Sequence, residues 1–159
     1  MMGIEIERKF LVKNNTWRKQ VSAGVKYIQG YFTTNEHCSI RVRLEGDQAA
    51  INIKSATIDI TRSEYNYPVP VDDAREMLEN LCGKPLIEKT RYHIRHDGRD
   101  WEIDEFSGEN QGLVVAEIEL DNAEDNFPRP DWLGKEVSDD PRYYNVCLTR
   151  NPYTKWAKR

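Results

Sequence analysis

Glu5, Glu7 and Lys9 stand two residues apart near the start of the chain, interleaved with Ile4, Ile6 and Phe10. In an extended segment successive side chains point to opposite faces, so the two carboxylates and the ammonium share one face and the apolar residues the other. A strand that presents such a face to a cavity can hold a divalent cation beside an anionic substrate. The pattern recurs. Arg41 and Arg43 alternate with Ile40, Val42 and Leu44, and Asn52 and Lys54 with Ile51 and Ile53. Arg62 shares a face with Glu64, Lys89 with Arg91, His93 and Arg95, Glu102 with Asp104, and Glu117 with Glu119.

A half-buried strand of any antiparallel sheet alternates in this way, and a solvated polar face accounts for one such strand taken alone. Two features of the set weaken that explanation. The charges are sorted by strand, acidic on some and basic on others, whereas like charges placed as neighbours on an open face are unfavourable. Arg41 with Arg43, and Lys89 with Arg91, also double a cation on one face, which suits a polyanion held between them. Gathered into one lumen, the cations Lys9, Arg41, Arg43, Lys54, Arg62, Lys89 and Arg91 match a chain of several phosphates. The anions Glu5, Glu7, Glu64, Glu102, Asp104, Glu117 and Glu119 match divalent metals. Carboxylate oxygens without histidine or cysteine point to Mg²⁺ or Mn²⁺.

The elements that would position these faces read as eight strands, over about 4–13, 26–33, 39–45, 49–55, 61–69, 86–95, 101–106 and 113–120. His96-Asp97-Gly98 marks a hairpin turn, and a short helix is expected near Trp17. One clear helix is predicted over 73–81, with Asp72 as N-cap, an apolar stripe of Ala74, Met77, Leu78 and Leu81, and a stop at Gly83 and Pro85. Further helices are predicted over 123–126 and 141–149, followed by a basic tail over 151–159. Many strands, tight turns and little helix suggest a mainly β (α+β) fold with a closed antiparallel barrel, which leaves no strand edge open. Trp17, Trp101, Trp132 and Trp156 read as packing or surface aromatics, and His93 and His96 as solvent-facing.

A length of 159 residues suits a single domain spanning 1–159, and a net charge of −4 does not suggest a general nucleic-acid binder. Cys38, Cys82 and Cys147 are widely spaced, which fits a reducing compartment without a disulfide framework. No apolar run reaches the length of a membrane span, and the first residues read as a strand, not as a signal peptide. The expectation is a cytoplasmic protein. The tyrosine-rich face at Tyr65 and Tyr67 permits a homodimer.

Glu5-Ile6-Glu7-Arg8-Lys9 fits the signature ExExK. Together with Gln29-Gly30-Tyr31, Ile40-Arg41-Val42-Arg43, Ile53-Lys54-Ser55, Arg62-Ser63-Glu64-Tyr65, Glu88-Lys89-Thr90-Arg91-Tyr92, Glu117-Ile118-Glu119 and Trp132-Leu133-Gly134-Lys135-Glu136-Val137, it makes the chain resemble the CYTH domain, or triphosphate tunnel metalloenzyme, family over nearly its whole length. The resemblance implies an eight-stranded antiparallel β-barrel tunnel with helices packed outside. It implies metal ligation by Glu5, Glu7, Glu117 and Glu119, with Asp104 a further candidate, and phosphate binding by Arg41, Arg43, Lys54, Lys89 and Arg91, with Arg62 and Glu64 in the tunnel. Lys9 and Tyr31 resemble a lysine–tyrosine pair placed near the attacking water. The segment with Arg142, Tyr143, Tyr144 and Asn145 resembles a C-terminal helix that plugs one end. The short bacterial members of the family, which this chain most resembles, hydrolyse inorganic tripolyphosphate to pyrophosphate and phosphate. Three alternatives stand beside that reading: a class IV adenylyl cyclase, an organic triphosphatase acting on ATP or thiamine triphosphate, and a polyphosphate- or RNA-binding module without turnover.

Overall fold

Strands with one charged and one apolar face can bury both only by curling, with the charges inside and a hydrophobic layer wrapped around the outside. A computed structural model of the protein describes residues 3–56 and 59–156, and it has this arrangement. Its strands are β1 (Ile4–Val12), β2 (Val25–Thr34), β3 (Cys38–Glu45), β4 (Gln48–Ser55), β5 (Thr61–Pro68), β6 (Ile87–His96), β7 (Arg99–Ser107), β8 (Val114–Glu119) and β9 (Leu133–Glu136). Two α-helices accompany them, α1 (Val71–Asn80) and α2 (Asn145–Arg150), together with short 3₁₀ turns such as Thr16–Gln20 and Pro141–Tyr143.

The strands run in the order β5-β4-β3-β2-β6-β7-β8-β1, and a β1–β5 pairing closes the ring into an eight-stranded antiparallel barrel. β1 makes closure possible by sharing one of its edges. Ile4–Ile6 pairs with β5, and Phe10 and Val12 pair with β9, while the other edge pairs with β8 over Glu7–Leu11. Asp97 (φ 46°) and Gly98 (φ 79°) both take the left-handed conformation that a two-residue β6–β7 hairpin requires.

The main core lies outside the barrel. Phe10, Trp17, Ile94, Trp101, Ile103, Ile118 and Trp132 pack together on the outer faces of β1, β6, β7 and β8. α1 covers β3 and β4 with Ala74 and Leu78 against Val42 and Leu44. The connection after α1 presses so closely on β2 that a β-carbon on Gly30 would stand 2.7 Å from Cys82 and 2.8 Å from Leu86. Inside the barrel the lining changes character along its axis. Glu5, Glu7 and Lys9 are followed in phase by Leu11, Arg91 and Lys89 are followed by Ile87, and Glu117 by Val115 and Leu113. Ile87, Phe106, Leu113 and Val115 meet Tyr143 and Leu148 from the C-terminal segment. That end of the lumen is therefore sealed by apolar packing.

Several expectations need correction. The segment 123–126 is a turn, not a helix. Four residues are too few to repay helix nucleation, and Pro128 and Pro130 bias the residues before them toward extended backbone. Phe127 packs there against Trp101, with ring centroids 5.4 Å apart. The helix expected over 141–149 is broken at Tyr144, whose ψ of 135° is extended and whose carbonyl starts α2. α1 begins after Pro70, so Asp72 lies in its first turn instead of capping it. The helix ends before Leu81, which is 64% exposed and belongs to no stripe. β9 was not expected. Trp17, Trp101 and Trp132 are core, and the Tyr65 and Tyr67 face is exposed. Among the described residues no helix is long and apolar enough to cross a membrane. Of the basic tail, 157–159 lies outside the described residues.

Leu148 has no exposed surface, whereas Leu81 is mostly in solvent. Leu148→Ala is expected to cost about 2–5 kcal/mol in urea unfolding, and Leu81→Ala no more than about 0.5 kcal/mol.

Candidate active site

The inward faces of the barrel strands enclose a cavity of about 230 Å³. Register decides which charges meet in it. β1 and β8 place Glu7 opposite Glu119 and Lys9 opposite Glu117, and β7 places Glu102 opposite Glu117. One wall is therefore acidic. Across from it stand Arg41 and Arg43 from β3 and Lys54 from β4, while Lys89 and Arg91 flank it from β6. Tyr31, Arg62, Glu5 and Glu64 complete the circuit. Every site residue expected from the sequence lines this one cavity except Asp104.

Asp104, expected among the metal ligands, does not line the cavity. It is 1% exposed, and both its oxygens are taken: Arg91 Nε donates to Oδ1 at 2.8 Å, Arg91 Nη2 to Oδ2 at 2.9 Å, and Lys89 Nζ lies 2.8 Å from Oδ2. Burial alone would raise this carboxyl, but the two cations hold it down to about 2. Burial pulls Lys89 down to about 8 against the attraction of Asp104. The carboxylate thus aims two cations at the lumen. Glu102, which the sequence also places inward, lines the cavity and accepts from Arg91 Nη1 at 3.3 Å.

Nearer the mouth, Lys54 Nζ bridges Glu5 at 3.2 Å and Glu64 at 3.1 Å, and Arg62 Nη2 reaches Glu5 at 3.3 Å. Arg41 and Glu7 are among the cavity groups without a close ion pair of opposite charge in the described residues. Arg41 is 8% exposed and donates to the neutral Asn52 at 3.0 Å; among the described residues it has no carboxylate ion pair. On the acidic wall Glu7 and Glu117 share a side-chain hydrogen bond. Burial, then the Glu117 charge, pushes Glu7 well above the usual carboxyl range. Glu117, which burial would also raise, is held well below it by Lys9, by the bond from Glu7, and by Arg91 and Lys89. A positive charge placed beside the two carboxyls would favour the ionised form of Glu7. Burial, followed by Glu5, Glu64 and Glu102, raises Glu119 as well.

Among the described residues no three Asp, Glu, His or Cys side chains converge into a ready metal cage. The all-oxygen donor set and the neighbouring Glu7 and Glu117 carboxyls nevertheless suit a hard cation that takes one or two carboxylates and fills its shell with other oxygens. Ser39, Asn52, Asp59, Ser138 and Asn145 also line the cavity. Ser39 and Asn52 stand in phase with Arg41 and Lys54, so alternation carried their signal. Asp59 lies in a connection and Ser138 beyond β9, where no periodicity marks them.

Comparison with known proteins follows the same lines. Residues 3–144 match the CYTH domain. The chain is 49% identical over 157 residues to an inorganic triphosphatase of Acetivibrio thermocellus, covering 99% of this chain and 100% of that one. It is 36% identical over 148 residues to an inorganic triphosphatase of Nitrosomonas europaea, covering 91% and 95%. A solved structure of an inorganic triphosphatase superposes with a TM-score of 0.66 at 33% identity, over 91% of this chain and 93% of the other.

Asp104→Asn removes the anion from two buried cations, and a loss of about 3–5 kcal/mol is expected in urea unfolding at neutral pH. The folded carboxyl sits at about 2 against an ordinary 3.8. A depressed folded value contributes stability that is complete above about pH 4 and is lost as pH falls toward 2. The gap between wild type and variant should narrow across that window.

Proposed function

The chain belongs to the CYTH family, and we propose that it hydrolyses inorganic tripolyphosphate to pyrophosphate and phosphate with the help of a divalent cation. One observation carries the reading: the cavity is short of an anion at Arg41 and short of a cation between Glu7 and Glu117. A buried charge without a partner is costly. A triphosphate carrying a divalent metal supplies both missing charges at once.

In this reading Arg41, Arg43, Lys54, Arg62, Lys89 and Arg91 bind the phosphate chain and hold its oxygens as charge develops on them. Glu5, Glu7, Glu117 and Glu119 hold Mg²⁺ or Mn²⁺. Such a cation, when bound, neutralises phosphoryl oxygens and acidifies water. Lys9 and Tyr31 flank the position of the attacking water. Asp104 acts only through Lys89 and Arg91. The unpaired Cys38, Cys82 and Cys147 fit a reducing cytoplasm.

Phosphate release from tripolyphosphate with Mg²⁺ or Mn²⁺, measured beside ATP, tests the proposal. Release from tripolyphosphate should stop on chelation and fall roughly a hundredfold or more in Glu7→Gln. Cyclic AMP formed from ATP, with no turnover of tripolyphosphate, would make the chain a cyclase. Binding that survives chelation without any turnover would make it a phosphate-binding module.

A further inference from the structure

Two lysines enter the cavity from different strands and end on the same short stretch of chain. Lys9 Nζ donates to the Tyr143 carbonyl at 3.1 Å, and Lys89 Nζ donates to Asn145 Oδ1 at 3.2 Å. The segment that seals the apolar end is thereby tied to the charged end, and Tyr144, Asn145 and Val146 line the reaction cavity.

Asn145 is the informative member. An ammonium can only donate, so the amide must turn its oxygen to Lys89 and its NH₂ away from it. Among the described residues no protein acceptor takes that NH₂. Lys89 is also drawn toward the wall by Asp104 at 2.8 Å. Asn145 Oδ1 gives the ammonium a second partner, supplied by the sealing segment. We propose, on the reading given above, that Asn145 is a further substrate-contacting residue: Oδ1 holds the Lys89 ammonium in the cavity, and Nδ2–H donates to a phosphate oxygen. A neutral amide can do both. A carboxylate would accept from Lys89 equally well but would cancel its charge and repel the phosphate.

The test is calorimetric titration of the full chain with tripolyphosphate in chelator, together with kcat and KM in Mg²⁺, for wild type, Asn145→Asp and Asn145→Leu. Unfolding curves are recorded for each. Asn145→Leu keeps the branched outline and loses both hydrogen bonds; Asn145→Asp keeps the Lys89 bond alone. Affinity should fall about tenfold or more in both, with KM rising, at temperatures where all three chains are folded. A side chain that merely filled space would lower stability and leave the affinity of the folded protein unchanged. Unchanged affinity in either folded variant overturns the inference. A wild-type chain that neither binds nor hydrolyses tripolyphosphate overturns the functional reading, and this inference with it.

Discussion

Charge enclosed in a barrel has to be compensated at close range, because the surrounding protein screens it far less than water does. The rest of this structure depends on that constraint. With the interior given to ions, the hydrophobic core has to be assembled on the outside, where Trp17, Trp101 and Trp132 fill the layer around Phe10. The same constraint explains Asp104. The β6–β7 register sets Arg91 beside Asp104. The carboxylate then anchors Arg91 and Lys89, so that two cations are held at the cavity wall by an acid that does not itself line it. Truncating one member of such a cluster is far more costly than the cluster is stabilising, because it strands the others in a poorly solvated place.

The compensation is incomplete in a directed way. Lys54 and Arg62 satisfy Glu5, and Lys9 stands 3.8 Å from Glu117. Arg41 is left with an amide, and Glu7 with another carboxyl. A fold selected for stability alone would pair these groups or replace them with apolar side chains. Leaving a deficit of each sign in one cavity means that a ligand carrying both signs completes the electrostatics of the fold, and its binding and the stability of the barrel are linked.

The alternation of charged and apolar residues made most of this legible beforehand. It identified eight strands and assigned their inward faces, and the cavity gathers Glu5, Glu7, Lys9, Arg41, Lys54, Lys89 and Glu117 as those faces require. What alternation cannot carry is depth. Glu102 and Asp104 share a phase, yet one lines the cavity and the other is covered by Arg91 and Lys89, which bind it. Ion-pair geometry was hidden for the same reason. β9 has only four residues and is held by its pairing to β1, so its own sequence has no room to declare a period. Leu81 kept the helical spacing of its neighbours but lies beyond the end of the helix. Asn145 could be placed in the sealing segment by resemblance, while its bond to Lys89 depended on where that segment docks.

The change of lining from charged to apolar gives the lumen its chemical asymmetry. A tunnel open at both ends would keep water on either side of the ions and weaken every interaction in it. Here Leu11, Ile87, Leu113 and Val115 turn one end apolar, and Tyr143 and Leu148 close it. The same segment that brings those apolar groups also brings the Tyr143 carbonyl and the Asn145 amide to two lysines. Exclusion of water and orientation of the cations are thus performed by one piece of chain. Donors fixed in such an environment do not have to reorganise when charge develops on a bound phosphoryl group, which is where preorganised electrostatics contributes most.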